Sequence, residues 1–103
     1  MSSRLEQLEA LAGLDPKDTF VQYAIALEYA SAGRFQDAAA TLERLVTLDP
    51  AYSAAYHQAG RAYEQLNQIE DAKRMYQQGI AVAARRGDLH AQKEMQEALL
   101  LLE

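Results

Sequence analysis

The chain has 103 residues, 50% of them apolar and 24% charged, which suits one domain with a modest core and excludes a disordered chain. It has no cysteine, so disulfide staples, a thiolate nucleophile and sulfur-ligated metal are all excluded. The net charge of −5 is spread as four basic and eight acidic groups in residues 1–51 and six and seven in 52–103, leaving no basic stripe to neutralise nucleic-acid phosphates.

The N-terminus, Met1-Ser2-Ser3-Arg4-Leu5-Glu6, turns amphipathic at once, lacks the apolar core of a secretory signal and opens a first helix expected over 3–13. Within it, Leu8-Glu9-Ala10-Leu11-Ala12-Gly13-Leu14-Asp15-Pro16 recurs as Leu42-Glu43-Arg44-Leu45-Val46-Thr47-Leu48-Asp49-Pro50, six of nine residues identical at an offset of 34. The same offset pairs Tyr29 with Tyr63, Phe35 with Ile69, Asp37-Ala38 with Asp71-Ala72, and Gly33 with Asn67. Gly and Asn are the residues that best tolerate a left-handed backbone at a helix end. A period of this length marks a repeat of helical hairpins.

A second helix is expected over 18–32, with Ile25, Ala26 and Tyr29 on its packing face, and a third over 35–48 with Ala38, Leu42 and Leu45. The fourth, 52–66, repeats the second through Tyr56, Ala59, Gly60 and Tyr63. The fifth, 69–85, repeats the third through Ala72, Tyr76 and Gly79. Small residues stand where helices approach closely, with aromatic residues beside them. Gly87-Asp88 then breaks the chain and Asp88 is a candidate N-cap for a last helix over 88–102, whose apolar stripe is read as Leu89, Met95, Leu99 and Leu102.

These hairpins resemble the tetratricopeptide repeat (TPR) family, whose pattern has a small residue and then Tyr on the first helix, Ala and a large apolar residue on the second, and Pro at the exit. The second repeat supplies Tyr56, Ala59-Gly60, Tyr63, Ala72 and Tyr76 but ends in Ala83-Ala84 without the Pro. The first supplies Ala26, Tyr29, Ala38, Leu42 and Pro50 but has Gln22 where the family usually has an aromatic residue, which weakens packing near the N-terminus. The resemblance covers roughly residues 8–84 and implies an all-α, right-handed TPR-like solenoid. Its expected divisions are a half-repeat at 3–16, repeats at 17–50 and 51–86, and a capping helix at 87–103.

No catalytic constellation emerges. There are two histidines, His57 and His90, no Gly-rich phosphate loop and no metal-ligand spacing, so neither enzyme, cofactor nor metal site is expected. His57 is read as an outward-facing surface residue. Asp15, Asp18, Glu70 and Asp71 read as charges at helix starts and Arg85-Arg86 as charges at a helix end, where the helix dipole favours them. The longest leucine run, Leu99 to Leu102, is far short of the roughly 20 apolar residues of a membrane span. The expectation is a soluble, cytoplasmic protein.

In stacked hairpins the first helices line the concave surface. That face carries Phe20, Tyr23, Leu27 and Ser31 in the first repeat, and Ala54, His57, Arg61, Glu64 and Gln65 in the second. Exposed apolar surface beside a basic wall fits a peptide or helix of a protein partner with an apolar anchor and a nearby carboxylate. Phe20, Tyr23, Leu27, His57, Arg61 and Glu64 are the candidate contacts of a scaffold or adaptor. Some TPR proteins read acidic chaperone tails through Lys and Asn on this face, and this set departs from theirs. A rival reading is self-association: Leu100 and Leu101 cannot both be covered by one helical cap and would then make a homodimer contact. A small-molecule or metal sensor is a remoter reading with no ligand cluster behind it.

Overall fold

A computed structural model describes residues 3–103; Met1 and Ser2, part of the N-terminal reading above, lie outside the described residues. Six helices follow in order: α1 (Ser3–Leu14), α2 (Thr19–Ser31), α3 (Phe35–Leu48), α4 (Ser53–Gln65), α5 (Ile69–Arg86) and α6 (Leu89–Leu101). Every boundary falls within one residue of its expected place, because the signals that set them are local. Asp18 caps α2 by accepting from the Phe20 and Val21 amides, and Asp88 caps α6 by accepting from Ala91.

The hairpin turns after α2 and α4 share one geometry. Gly33 has φ +77° and Asn67 has φ +58°, the left-handed conformation their residue types favour. After α2 the Arg34 amide donates to the Tyr29 carbonyl (2.8 Å) and Gly33 to Ala30 (3.0 Å). After α4 Gln68 donates to Tyr63 and Asn67 to Glu64, each at 2.9 Å. This is the Schellman closure, which satisfies carbonyls that the helix end leaves without partners.

Each helix packs mainly on its sequence neighbours, α1 on α2, α2 on α3, and so on to α6, with α4 also touching α6. The fold is a TPR-like solenoid: two hairpins, α2–α3 and α4–α5, with a single helix at either end. The main core runs through Ala38, Leu42 and Leu45 of α3, Tyr56, Ala59 and Tyr63 of α4, and Ala72, Met75 and Tyr76 of α5. A smaller cluster of Leu5, Val21 and Ile25 holds α1 to α2. Met95 of α6 is fully buried, with Ala91, Ala98, Leu99 and Leu102 packed beside it.

The expected α6 stripe needs one correction. Leu89 is 73% exposed. It stands six residues from Met95, about 120° round the helix at 100° per residue, so it cannot share Met95's face.

Candidate functional site

The first helices α2 and α4 lie side by side with α3 beneath them, and a groove of about 600 Å³ runs between them. Its base is small or apolar: Ala26, Ala38, Leu42 and Ala62 are buried there. Its rim is mixed, with Leu27 and Ser31 on α2 and Gln58, Arg61 and Gln65 on α4. The alanines arise from the repeat pattern itself, because close helix contact requires small side chains at those positions. A trough remains where larger residues would have filled the space between α2 and α4.

Of the six candidate contacts, the groove brings together Leu27 and Arg61. Leu27 is 36% exposed. Arg61 is exposed and forms no ion pair with any described residue, which leaves a cation free at the rim above an apolar base. Phe20, 73% exposed at the start of α2, is not among the residues lining it.

The other three have structural partners. Tyr23 stacks on Tyr52 with ring centroids 5.2 Å apart, and burial pushes its phenol pKa up against the influence of Gln58 and Arg61. Glu64 accepts a 2.5 Å hydrogen bond from the Tyr76 hydroxyl, whose pKa is raised by burial and then by that bond.

His57 does not face outward as expected. Its ring meets the edge of Tyr76 at 6.0 Å, and Glu94 of α6 approaches its Nδ1 to 3.9 Å. This part of the first-helix face is partly covered by α6. Burial lowers the His57 pKa, Arg61 lowers it further, and Glu94 and Glu64 act the other way.

Phe35, Ala30 and Gln58 line the groove and were absent from the sequence-derived set. Gln58 and Arg61, three apart on α4, share a helix face, so spacing alone could have found Gln58. Phe35 begins α3, and only the packing of the hairpin brings it to the groove. Among the described residues no group of three or more His, Asp or Glu side chains is placed to hold a metal ion, and no helix is long and apolar enough to cross a membrane.

The tetratricopeptide repeat pattern matches residues 29–93. Over 91 residues the chain is 33% identical to a TPR repeat-containing protein of Pseudomonas aeruginosa, covering 88% of this chain and 87% of that one. Among solved structures, a tetratricopeptide repeat domain protein from Salinibacter ruber superposes with a TM-score of 0.80 at 39% identity, covering 86% of this chain and 90% of its own. A protein from Bordetella parapertussis superposes with a TM-score of 0.85 at 27% identity over 99% of this chain and 89% of its own.

Proposed function

We propose a function on the ground that this chain belongs to the tetratricopeptide repeat family: it is a non-enzymatic adaptor that holds a segment of another protein in the groove between α2 and α4. Repeats of this family generally mediate protein–protein interaction. The observation that carries the reading is the Arg61 guanidinium, in no ion pair among the described residues, at the rim of an apolar trough. A trough of alanine and leucine takes a small apolar side chain, and Arg61 takes a carboxylate next to it. Leu27 and Arg61 are the contacts proposed to carry affinity. Phe20 extends the apolar surface toward the N-terminus of α2, while Tyr23, His57 and Glu64 are held by partners of their own and are not assigned a contact.

The test compares wild type with Leu27→Glu and Arg61→Glu by affinity capture and mass spectrometry, with circular dichroism to verify folding. Both side chains are exposed, so both variants should stay folded. The reading expects one specific protein to be retained by wild type and bound at least about tenfold more weakly by each variant, about 1.4 kcal/mol. Equal retention by all three forms would make the groove a bystander surface.

A second reading, self-association through α6, is favoured by Leu100 and Leu101 at 71% and 87% exposure. Light scattering decides it. A dimer that Leu101→Glu converts to monomer supports it, and a monomer at high concentration ends it.

A further inference from the structure

A second cavity, of about 450 Å³, opens on a different part of the molecule between the α1–α2 turn and the end of α3. Pro16, Gln22, Arg44, Thr47 and Leu48 line it. Its origin is visible in the repeat. At an offset of 34 the corresponding residues are Pro50, Tyr56, Gln78, Ala81 and Val82. There the space is filled: Tyr56 is 5% exposed and its hydroxyl donates to the Pro50 carbonyl at 2.8 Å. The covering of the neighbouring second helix differs accordingly. Val82 is 6% exposed, whereas Leu48 in the same register is 46% exposed. Gln22 stands in the register of Tyr56, with no ring to reach the Pro16 carbonyl, and the cavity lies beside it.

Two further features distinguish this cavity from a packing defect. The Pro16 carbonyl, equivalent to the one Tyr56 engages, accepts no hydrogen bond from any described residue. Arg44 replaces the uncharged Gln78 at the rim. It is exposed, reaches only the Thr41 hydroxyl at 3.4 Å, and pairs with no carboxylate among the described residues. The acids nearest in sequence to Pro16 are already engaged: Asp15 accepts from the Lys17 amide and Asp18 from Phe20 and Val21.

We infer that this cavity is a docking site for a tyrosine side chain of a partner protein with a carboxylate beside it. The phenol ring comes in from the solvent side into the position that Tyr56 holds in the second hairpin, its hydroxyl donates to the Pro16 carbonyl, and Arg44 engages the neighbouring carboxylate. The site is separate from the α2–α4 groove and does not depend on it.

The probe is a pool of short peptides with one fixed Tyr flanked by positions drawn from Asp, Glu, Gly and Ser, compared with a matched pool in which Ala replaces Tyr. Titration into the labelled protein is followed through amide chemical shifts. The Tyr pool should move Gln22, Thr47 and Leu48, and the Ala pool should bind at least about tenfold more weakly. Gln22→Tyr fills the cavity from within and should abolish those shifts while raising Tm, so a folding defect cannot account for the loss. Arg44→Glu should weaken the Tyr pool at least about tenfold. The inference is overturned if the two pools act alike, if Gln22→Tyr binds as wild type does, or if no shifts arise at the cavity. Shifts confined to Leu27 and Arg61 would also overturn it while leaving the groove reading in place.

Discussion

At the residue scale the two hairpins solve one packing problem with different pairs. In the first, Ala26 of α2 faces the space beside Leu42 of α3. At an offset of 34 the second has Gly60 and Tyr76. Both large residues are buried, and a Cβ on Gly60 would collide with the Tyr76 ring. Gly60→Ala should therefore cost about 1–3 kcal/mol of stability through overpacking, read as a Tm lower by about 5 °C or more. Combining it with Tyr76→Leu recreates the first hairpin's pair. The double variant should lose less than the sum of the two single losses, by about 1 kcal/mol or more. Strict additivity would show that the contact does not set the choice of glycine. His57 makes a second prediction. Its folded pKa lies below the ordinary 6.5 chiefly because it is buried, so the unfolded chain takes up the proton more readily. Stability present above pH 6.5 is then lost as pH falls through the folded value. His57→Gln should flatten that limb of a Tm-against-pH profile, and a limb unchanged in the variant would assign the acid loss to other groups.

At the element scale, successive hairpins are joined by a repeated hydrogen bond from the first helix of one to the second helix before it. The Tyr29 hydroxyl of α2 donates to Glu9 of α1 at 3.3 Å, and the Tyr63 hydroxyl of α4 to Glu43 of α3 at 2.7 Å. The two differ in their surroundings. Glu43 also accepts from Arg74 of α5 at 2.7 Å and tethers three helices. Burial pushes the Glu43 carboxyl pKa up, but hydrogen bonds from Arg74 and Tyr63 together hold it below its usual value. The Tyr63 phenol is pushed up to about 12 by burial and by that carboxylate. Glu43→Ala leaves the Tyr63 hydroxyl without its acceptor and Arg74 with only its longer bond to Asp71, and should cost about 1–3 kcal/mol. Glu9→Ala, at an exposed and longer bond, should stay within about 0.5 kcal/mol. Equal losses in urea titrations would mean that the repeated bond is strong in itself, irrespective of burial. These tethers could not be read from the sequence beforehand. The offset paired Tyr29 with Tyr63 and Glu9 with Glu43, but nothing in the pattern says that a tyrosine reaches back 20 residues to a glutamate.

At the scale of the whole molecule, an elongated body of 38 × 28 × 19 Å is built from near-neighbour contacts. Stability in such a solenoid is close to a sum of local terms. The two ends illustrate this. Leu5 joins α1 to α2 in one cluster, and Met95 closes α6 over α5 in another. Gly79 leaves the space that the Met95 thioether enters. Met95→Ala should cost about 2–5 kcal/mol by leaving a cavity. Combined with Leu5→Ala the losses should add within about 0.5 kcal/mol. A coupling well beyond that in a thermal or urea cycle would show that the two ends communicate.

The 34-residue repeat, the six helices, the turns and, Leu89 excepted, the packing stripes were determined by the sequence: the repeat shows as a fixed offset along the chain, and the others depend on residues within one or two helical turns of each other. Tyr56, Tyr63, Ala72 and Tyr76 declared their burial through spacing alone. What only the tertiary structure decided is which residues on the nominally open face remain open. Tyr23 is half-covered by Tyr52 and His57 by α6, while Leu27 and Arg61 stay at the groove. The helix period assigns a side chain to a face, but its accessibility depends on what another part of the chain places over that face, and that is a non-local property of the fold.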